Sequence, residues 1–182
     1  MSTKRNHLTR RATTIISAIA AASLMFLSLH PAAGAAIKAS VVAVKSGDVR
    51  ATITMPIATA SGARRIPLTV DFAIAPGWHI YGHPLPQEYQ PTTVTFDKTL
   101  VAAQSLRFPK PKPVEFKTLG QTLPVYEGDF RVPGVVVLKR NLAAGTHQLT
   151  GKLSFQECND MVCKMPTTVS FALPITVRTA SH

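Results

Sequence analysis

The sequence has only two cysteines and one tryptophan in 182 residues, and a chain so poor in cysteine is not built on a disulfide framework. Acidic residues are scarce too: nine Asp and Glu stand against 20 Lys and Arg, for a formal charge of +11. Basic runs are also missing. Lysines and arginines are scattered, as in "KTLGQ" and "LKRN", with no run of five or more, so a nucleic-acid footprint is not supported. The charges suit solvated faces, or a mild attraction to anionic membrane surfaces and acidic partners. Beyond the first 35 residues there is no capped, 3.6-periodic segment of about ten residues, no internal repeat and no low-complexity tract, which argues against helical and repeat architectures.

What is present begins with a long apolar run. "MSTKRNHLTRRATTIISAIAAASLMFLSLHPAAGAA" sets Lys4, Arg5, Arg10 and Arg11 before the stretch Ala12 to Leu29, then Pro31 and small residues, the pattern of an export signal. Ala33-Gly34-Ala35 fits a small-x-small cleavage site, which places the mature start near Ala36. Arg10-Arg11 admits a twin-arginine route, and an uncleaved membrane anchor is the alternative, because the run approaches the ~20 residues that span a bilayer. No other segment is apolar enough to do so. Without residues 1–35 the charge falls to +7, and the remaining 36–182 suits one domain with a single core.

Period-2 alternation dominates that domain. "VRATITM" (Val49 to Met55), "IPLTVDFAIA" (Ile66 to Ala75), "TTVTF" (Thr92 to Phe96), "GVVVLKR" (Gly134 to Arg140), "HQLTGKLSFQ" (His147 to Gln156) and "TTVSFALPITV" (Thr167 to Val177) are rich in Val, Ile, Thr and Phe. Turn-formers such as "SGD", "APG" and "AAGT" separate them. The spacing predicts an all-β sandwich of roughly seven to nine short strands. Two proline-rich stretches read as long loops: "YGHPLPQEYQP" (Tyr81 to Pro91), after the aromatics Trp78 and Tyr81, and Phe108 to Pro124, which carries four prolines and an exposed-looking Phe116. Loops of that length are usually functional or disordered.

The cysteines, Cys158 and Cys163, sit in "FQECNDMVCKMP" with four residues between them. As a staple the pair is poorly placed, since closing so short a ring contributes roughly 2 kcal/mol against nearly 5 for a 100-residue loop; an exported protein would nonetheless oxidise it. A metal clamp has Met161 and Met165 in its favour, because thiolate and thioether together suit Cu(I). Zinc is badly served without a second cysteine pair, and His79 and His83, the only close histidines, read as surface or loop residues. A redox couple needs an accessible thiolate and a second thiol to resolve a mixed disulfide. The residues of the pair alone leave all three readings open.

Taken together, "PGWHIYG" (Pro76 to Gly82), "PVYEGDFRVP" (Pro124 to Pro133) and "LSFQECNDMVCKMP" (Leu153 to Pro166) resemble the periplasmic N-terminal domain of the thiol:disulfide interchange protein DsbD, over roughly residues 38 to 178. The resemblance implies an immunoglobulin-like β-sandwich, with Cys163 as the exchanging thiol and Cys158 as its resolving partner, and no cofactor. It further implies that the second proline-rich stretch is a cap, with Phe116, preceded by Glu115, folded over the disulfide, and that Trp78 and Tyr81 lie near the same site. Partners would be thioredoxin-fold periplasmic proteins as recipients and a membrane-embedded thiol reductase as electron donor, with no nucleic acid. A DsbD continues into membrane helices and a thioredoxin-like domain, whereas this sequence stops at His182, so a separate donor is expected. Lys164 departs from the neutral residues common there, and its charge is expected to lower the pKa of Cys163. The alternatives are a Cu(I)-handling carrier and a plain protein-binding module with a structural disulfide.

Overall fold

The computed structural model describes residues 39–56, 65–117 and 120–178, with the backbone alone of 59–61. The expected signal segment lies outside them. Regular structure there consists of β1 (Ser40–Ser46), β2 (Val49–Met55), β3 (Thr59–Ser61), β4 (Arg65–Ile74), β5 (His79–Tyr81), β6 (Thr93–Phe96), β7 (Val101–Leu106), β8 (Lys112–Phe116), β9 (Gln121–Tyr126), β10 (Asp129–Leu138), β11 (Gly145–Phe155), β12 (Glu157–Cys158) and β13 (Thr167–Arg178). Among the described residues no helix is long and apolar enough to cross a membrane.

The six strands expected from alternation are β2, β4, β6, β10, β11 and β13. They supply most of two facing sheets, one of order β1-β2-β4-β10-β7 and one of order β3-β13-β11-β6. Neighbours are antiparallel except β3, which runs parallel to β13. In β2 and β4 every second side chain is buried, and β11 and β13 repeat the pattern from the other side. The inward residues of these strands and of β10, among them Ile53, Val70, Val136, Leu149, Leu153, Phe155 and Leu173, form one apolar core. Each such side chain taken fully from water contributes about 1.5–3 kcal/mol, so the alternation itself sets which face of each strand is buried. The result is the expected immunoglobulin-like sandwich.

A third, smaller sheet of order β12-β5-β9-β8 supplies the four strands in excess of nine. It overturns one expectation. Phe108 to Pro124 is not a long loop: β8 and β9 pair in register from Lys112↔Val125 to Phe116↔Gln121. Pro113 stands opposite Pro124. Directly opposed antiparallel residues either exchange both N–H···O bonds or neither, so two facing prolines occupy the one kind of pair that needs no N–H from them. The preceding prolines are fastened as well. Tyr126 donates its hydroxyl proton to the Pro109 carbonyl at 2.9 Å, and a Cβ on Gly82 would come within 2.7 Å of the Pro111 ring, so only glycine lets that segment lie against β5's end.

Candidate functional site

The small sheet has two faces, set by the period of two. On β5, Ile80 turns into the sandwich core, while His79 and Tyr81 turn to a second apolar cluster made of Tyr81, Leu123, Val125 and Cys158, flanked by Leu85, Tyr89, Val114 and Phe116. Cys158 pairs with His79 across β12 and β5, and Glu157 with Ile80. Cys158 therefore shares its face with His79 and Tyr81. Gln156 holds the entry to β12: its Oε1 accepts from the Gln90 amide at 3.1 Å, and its Nε2 donates to the Lys164 carbonyl at 3.1 Å.

From Cys158 the chain turns back at once. The Asn159 amide donates to the Val162 carbonyl and the Lys164 amide to the Glu157 carbonyl, both at 2.9 Å, so Cys158 and Cys163 form the non-hydrogen-bonded pair between these bonds. The Asn159 side chain completes the turn by accepting from the amides of Met161 and Val162 at 2.9 and 2.8 Å. Four intervening residues are thus what a tight hairpin needs to bring two facing sulfurs together. They are bonded to each other, with Cα atoms 4.1 Å apart.

The two sulfurs meet different surroundings. Cys158 is 1% exposed, whereas Cys163 is exposed. The Tyr81 hydroxyl lies 3.5 Å from the Cys163 sulfur, and burial, followed by the neighbouring Tyr89, holds the Tyr81 phenol above its ordinary range. Tyr81 therefore remains a protonated donor. Among the described residues four large hydrophobic side chains stand exposed, and three of them, Met161, Val162 and Met165, lie within two residues of Cys163 in the chain.

Lys164 corrects another expectation. It follows Cys163 directly and so points to the opposite face. Its Nζ lies 2.9 Å from both Asp48 Oδ2 and Glu157 Oε1 and 4.0 Å over the Trp78 ring. Hydrogen bonds to Asp48 and then Glu157 raise its pKa, and two carboxylates compensate its charge, so it gives little help to a Cys163 thiolate. Glu157 is 3% exposed and also accepts from the Asp48 amide at 3.0 Å. Gly47, at φ +57°, makes room for it in the β1–β2 turn, where a Cβ would overlap the carboxylate.

Of the residues singled out from the sequence, the fold brings Cys158, Cys163, Tyr81 and Phe116 together. Trp78 packs against the sandwich core instead, and Glu115 is exposed on the face of β8 opposite Phe116. His79, read from the sequence with His83 as a surface or loop residue, lies in β5 and is 5% exposed; of the two only His83 is exposed. Sequence reasoning also missed Gln156 and Glu157. The signal for His79 was there: it stands two residues before Tyr81 and shares its face.

The chain is thus a β-sandwich with a side sheet that holds a disulfide, one sulfur buried and the other open. Residues 48–175 match the family described as thiol:disulfide interchange protein DsbD, N-terminal, and the chain belongs to that family. Among solved structures, the N-terminal periplasmic domain of ScsB from Proteus mirabilis is similar at 15% identity and a TM-score of 0.55, over 75% of this chain and 51% of that one. The chain thus spans about half the length of that neighbour, with which it shares the fold. A GAE domain of yeast GGA1 matches 74% of this chain and 97% of its own at 13% identity, with a TM-score of 0.39, too slight a likeness to bear on the fold. No curated protein sequence matches the chain.

Proposed function

We propose that this protein is a periplasmic electron carrier that passes reducing equivalents through Cys158 and Cys163 to thioredoxin-fold proteins, after receiving them from a membrane-embedded thiol reductase. The observation that carries the reading is the inequality of the sulfurs, one 1% exposed and the other open to solvent. A donor thiolate attacks the Cys163 sulfur in line with the disulfide; the new S–S bond forms as the old one breaks, and the electron pair leaves on Cys158. A second donor thiol attacks its own sulfur in the mixed disulfide and releases Cys163, which leaves both cysteines reduced and the donor oxidised. Delivery runs the same steps in reverse: the Cys163 thiolate attacks the recipient's disulfide, and Cys158 then displaces the recipient's thiolate.

The neighbours suit these steps. The Tyr81 hydroxyl donates to the Cys163 thiolate when it forms. Phe116 acts as the cap over the buried sulfur, and Glu115 on its outer side faces the docking partner. Trp78 contributes from behind the sheet by holding Lys164. Met161, Val162 and Met165 offer the apolar rim against which a thioredoxin-fold surface docks. The test is trapping. Cys158→Ser accumulates a mixed disulfide through Cys163 with a thioredoxin-fold partner, because no internal thiol remains to resolve it, while Cys163→Ser traps little. Equal trapping by both variants, or trapping through Cys158 alone, refutes the order of attack.

A further inference from the structure

The His79 ring belongs to the disulfide's cluster and has no assigned task. It lies 5.5 Å from the Tyr81 ring in an edge-on contact and 5.2 Å from the Phe116 ring, and its Nε2 is buried without a hydrogen-bond partner. A buried polar atom left unpaired calls for a reason. One is given by the redox state. Cys158 stands directly opposite His79, where facing Cβ atoms are about 5 Å apart and side chains share a face. A disulfide sulfur has no proton to offer, but the reduced Cys158 has one. With the imidazole proton on Nδ1, Nε2 presents a lone pair to that thiol.

We infer that His79 is the base that takes the Cys158 proton when Cys158 attacks the mixed disulfide at Cys163. The inference rests on the carrier reading above and adds a group to it. The proton passes from Cys158 Sγ to His79 Nε2. The resulting thiolate forms the bond to Cys163 Sγ, the bond from Cys163 to the partner breaks, and the partner leaves as a thiolate that takes the proton from the imidazolium directly or through water. In the loading direction His79 returns the proton to Cys158 as it leaves. Without such a base the step would place a bare thiolate in an apolar cluster, where burial disfavours it.

The surroundings keep His79 in the form that a base requires. Burial is the largest influence and lowers its pKa, opposed by the carboxylates of Glu127 and Asp160. Glu127 is itself paired with Lys112 at 3.6 Å. The other groups facing the ring are the phenol of Tyr81, the apolar Phe116 from β8 and Cys158 from β12; Glu157 and Lys164 lie on the other side of the sheet.

The reduced protein mixed with one equivalent of Ellman's reagent releases thionitrobenzoate in two phases: a bimolecular attack by Cys163, then a unimolecular displacement by Cys158. His79→Gln slows the second phase about 100-fold at neutral pH and leaves the first intact. His79→Phe, which refills the aromatic cluster without a base, does the same. In the wild type the second phase falls as pH drops through a value below the ordinary imidazole range, and both variants lose that inflection. An unchanged second phase, or equal slowing of both phases, overturns the role of His79. The carrier reading fails separately, if Cys158→Ser gives no lasting adduct on Cys163.

Discussion

The sandwich and the small sheet solve opposite problems with the same backbone pattern. Strands of the sandwich such as β4, β11 and β13 run for ten to twelve residues and bury almost only carbon. The small sheet is made of strands of two to six residues, with two prolines facing each other. Of the five buried polar side chains among the described residues, His79, Gln156 and Glu157 belong to it or adjoin it, and Thr92 binds its Tyr81 through the backbone. His79 and Gln121 also hold buried side-chain atoms without partners. Such groups cost stability, so their concentration beside the disulfide separates the region that holds the protein together from the region that the carrier reading makes reactive.

The largest effect that can break this division is a cavity in the sandwich. Leu173 is fully buried, and Leu173→Ala loses about 3 kcal/mol of unfolding free energy while the rate at which dithiothreitol reduces the native protein stays the same. A changed rate would mean that the two regions are mechanically one. Next comes removal of the bond itself. Replacing both cysteines with alanine costs roughly 2 kcal/mol or less because the ring is short, as denaturant titration will measure; failure to fold would make the disulfide a structural staple.

Phe116→Ala is smaller in stability, about 1 kcal/mol, and acts on reactivity instead. Small-molecule reduction of the disulfide speeds up, and an unchanged rate would remove the cap role. The smallest effect depends on pH. The folded state lowers the pKa of His79, so the unfolded chain binds its proton first as the pH falls. Stability is full above the unfolded imidazole value, about 6.5, and declines as pH drops from there toward the folded one. Acid titration of His79→Phe should lack that part of the decline.

Legibility in the sequence followed the same division. The sandwich was readable because Val49 to Met55 and Thr167 to Val177 alternate long enough for a period to be visible. At β8–β9 the four prolines argued for a loop, and the register that makes two of them harmless depends on which residues face each other, a non-local fact. β5 and β12, three and two residues long, carry too little pattern for any period. The cysteines, Tyr81 and Phe116 were legible from the resemblance to the DsbD family. Lys164 was misjudged because Asp48, which helps to compensate it, lies 116 residues away, and His79 because a histidine among turn-formers looks exposed until its phase with Tyr81 is followed.

The two backbone hydrogen bonds that flank the cysteines, from Asn159 to Val162 and from Lys164 to Glu157, join neither sulfur. Neither the Asn159 turn nor the Gln156 clamp involves a sulfur either, so opening the disulfide removes none of these bonds directly. If the pair carries electrons, the hairpin is expected to keep one outline whether loaded or empty, and gaining or losing two electrons should require little movement of the chain. Such a molecule would not announce its load by its shape. On the carrier reading proposed above, a protein docking beside Cys163 would meet much the same surface in both states and learn which it has met only at the sulfur, so relative potentials and the partner in excess would set the direction of traffic.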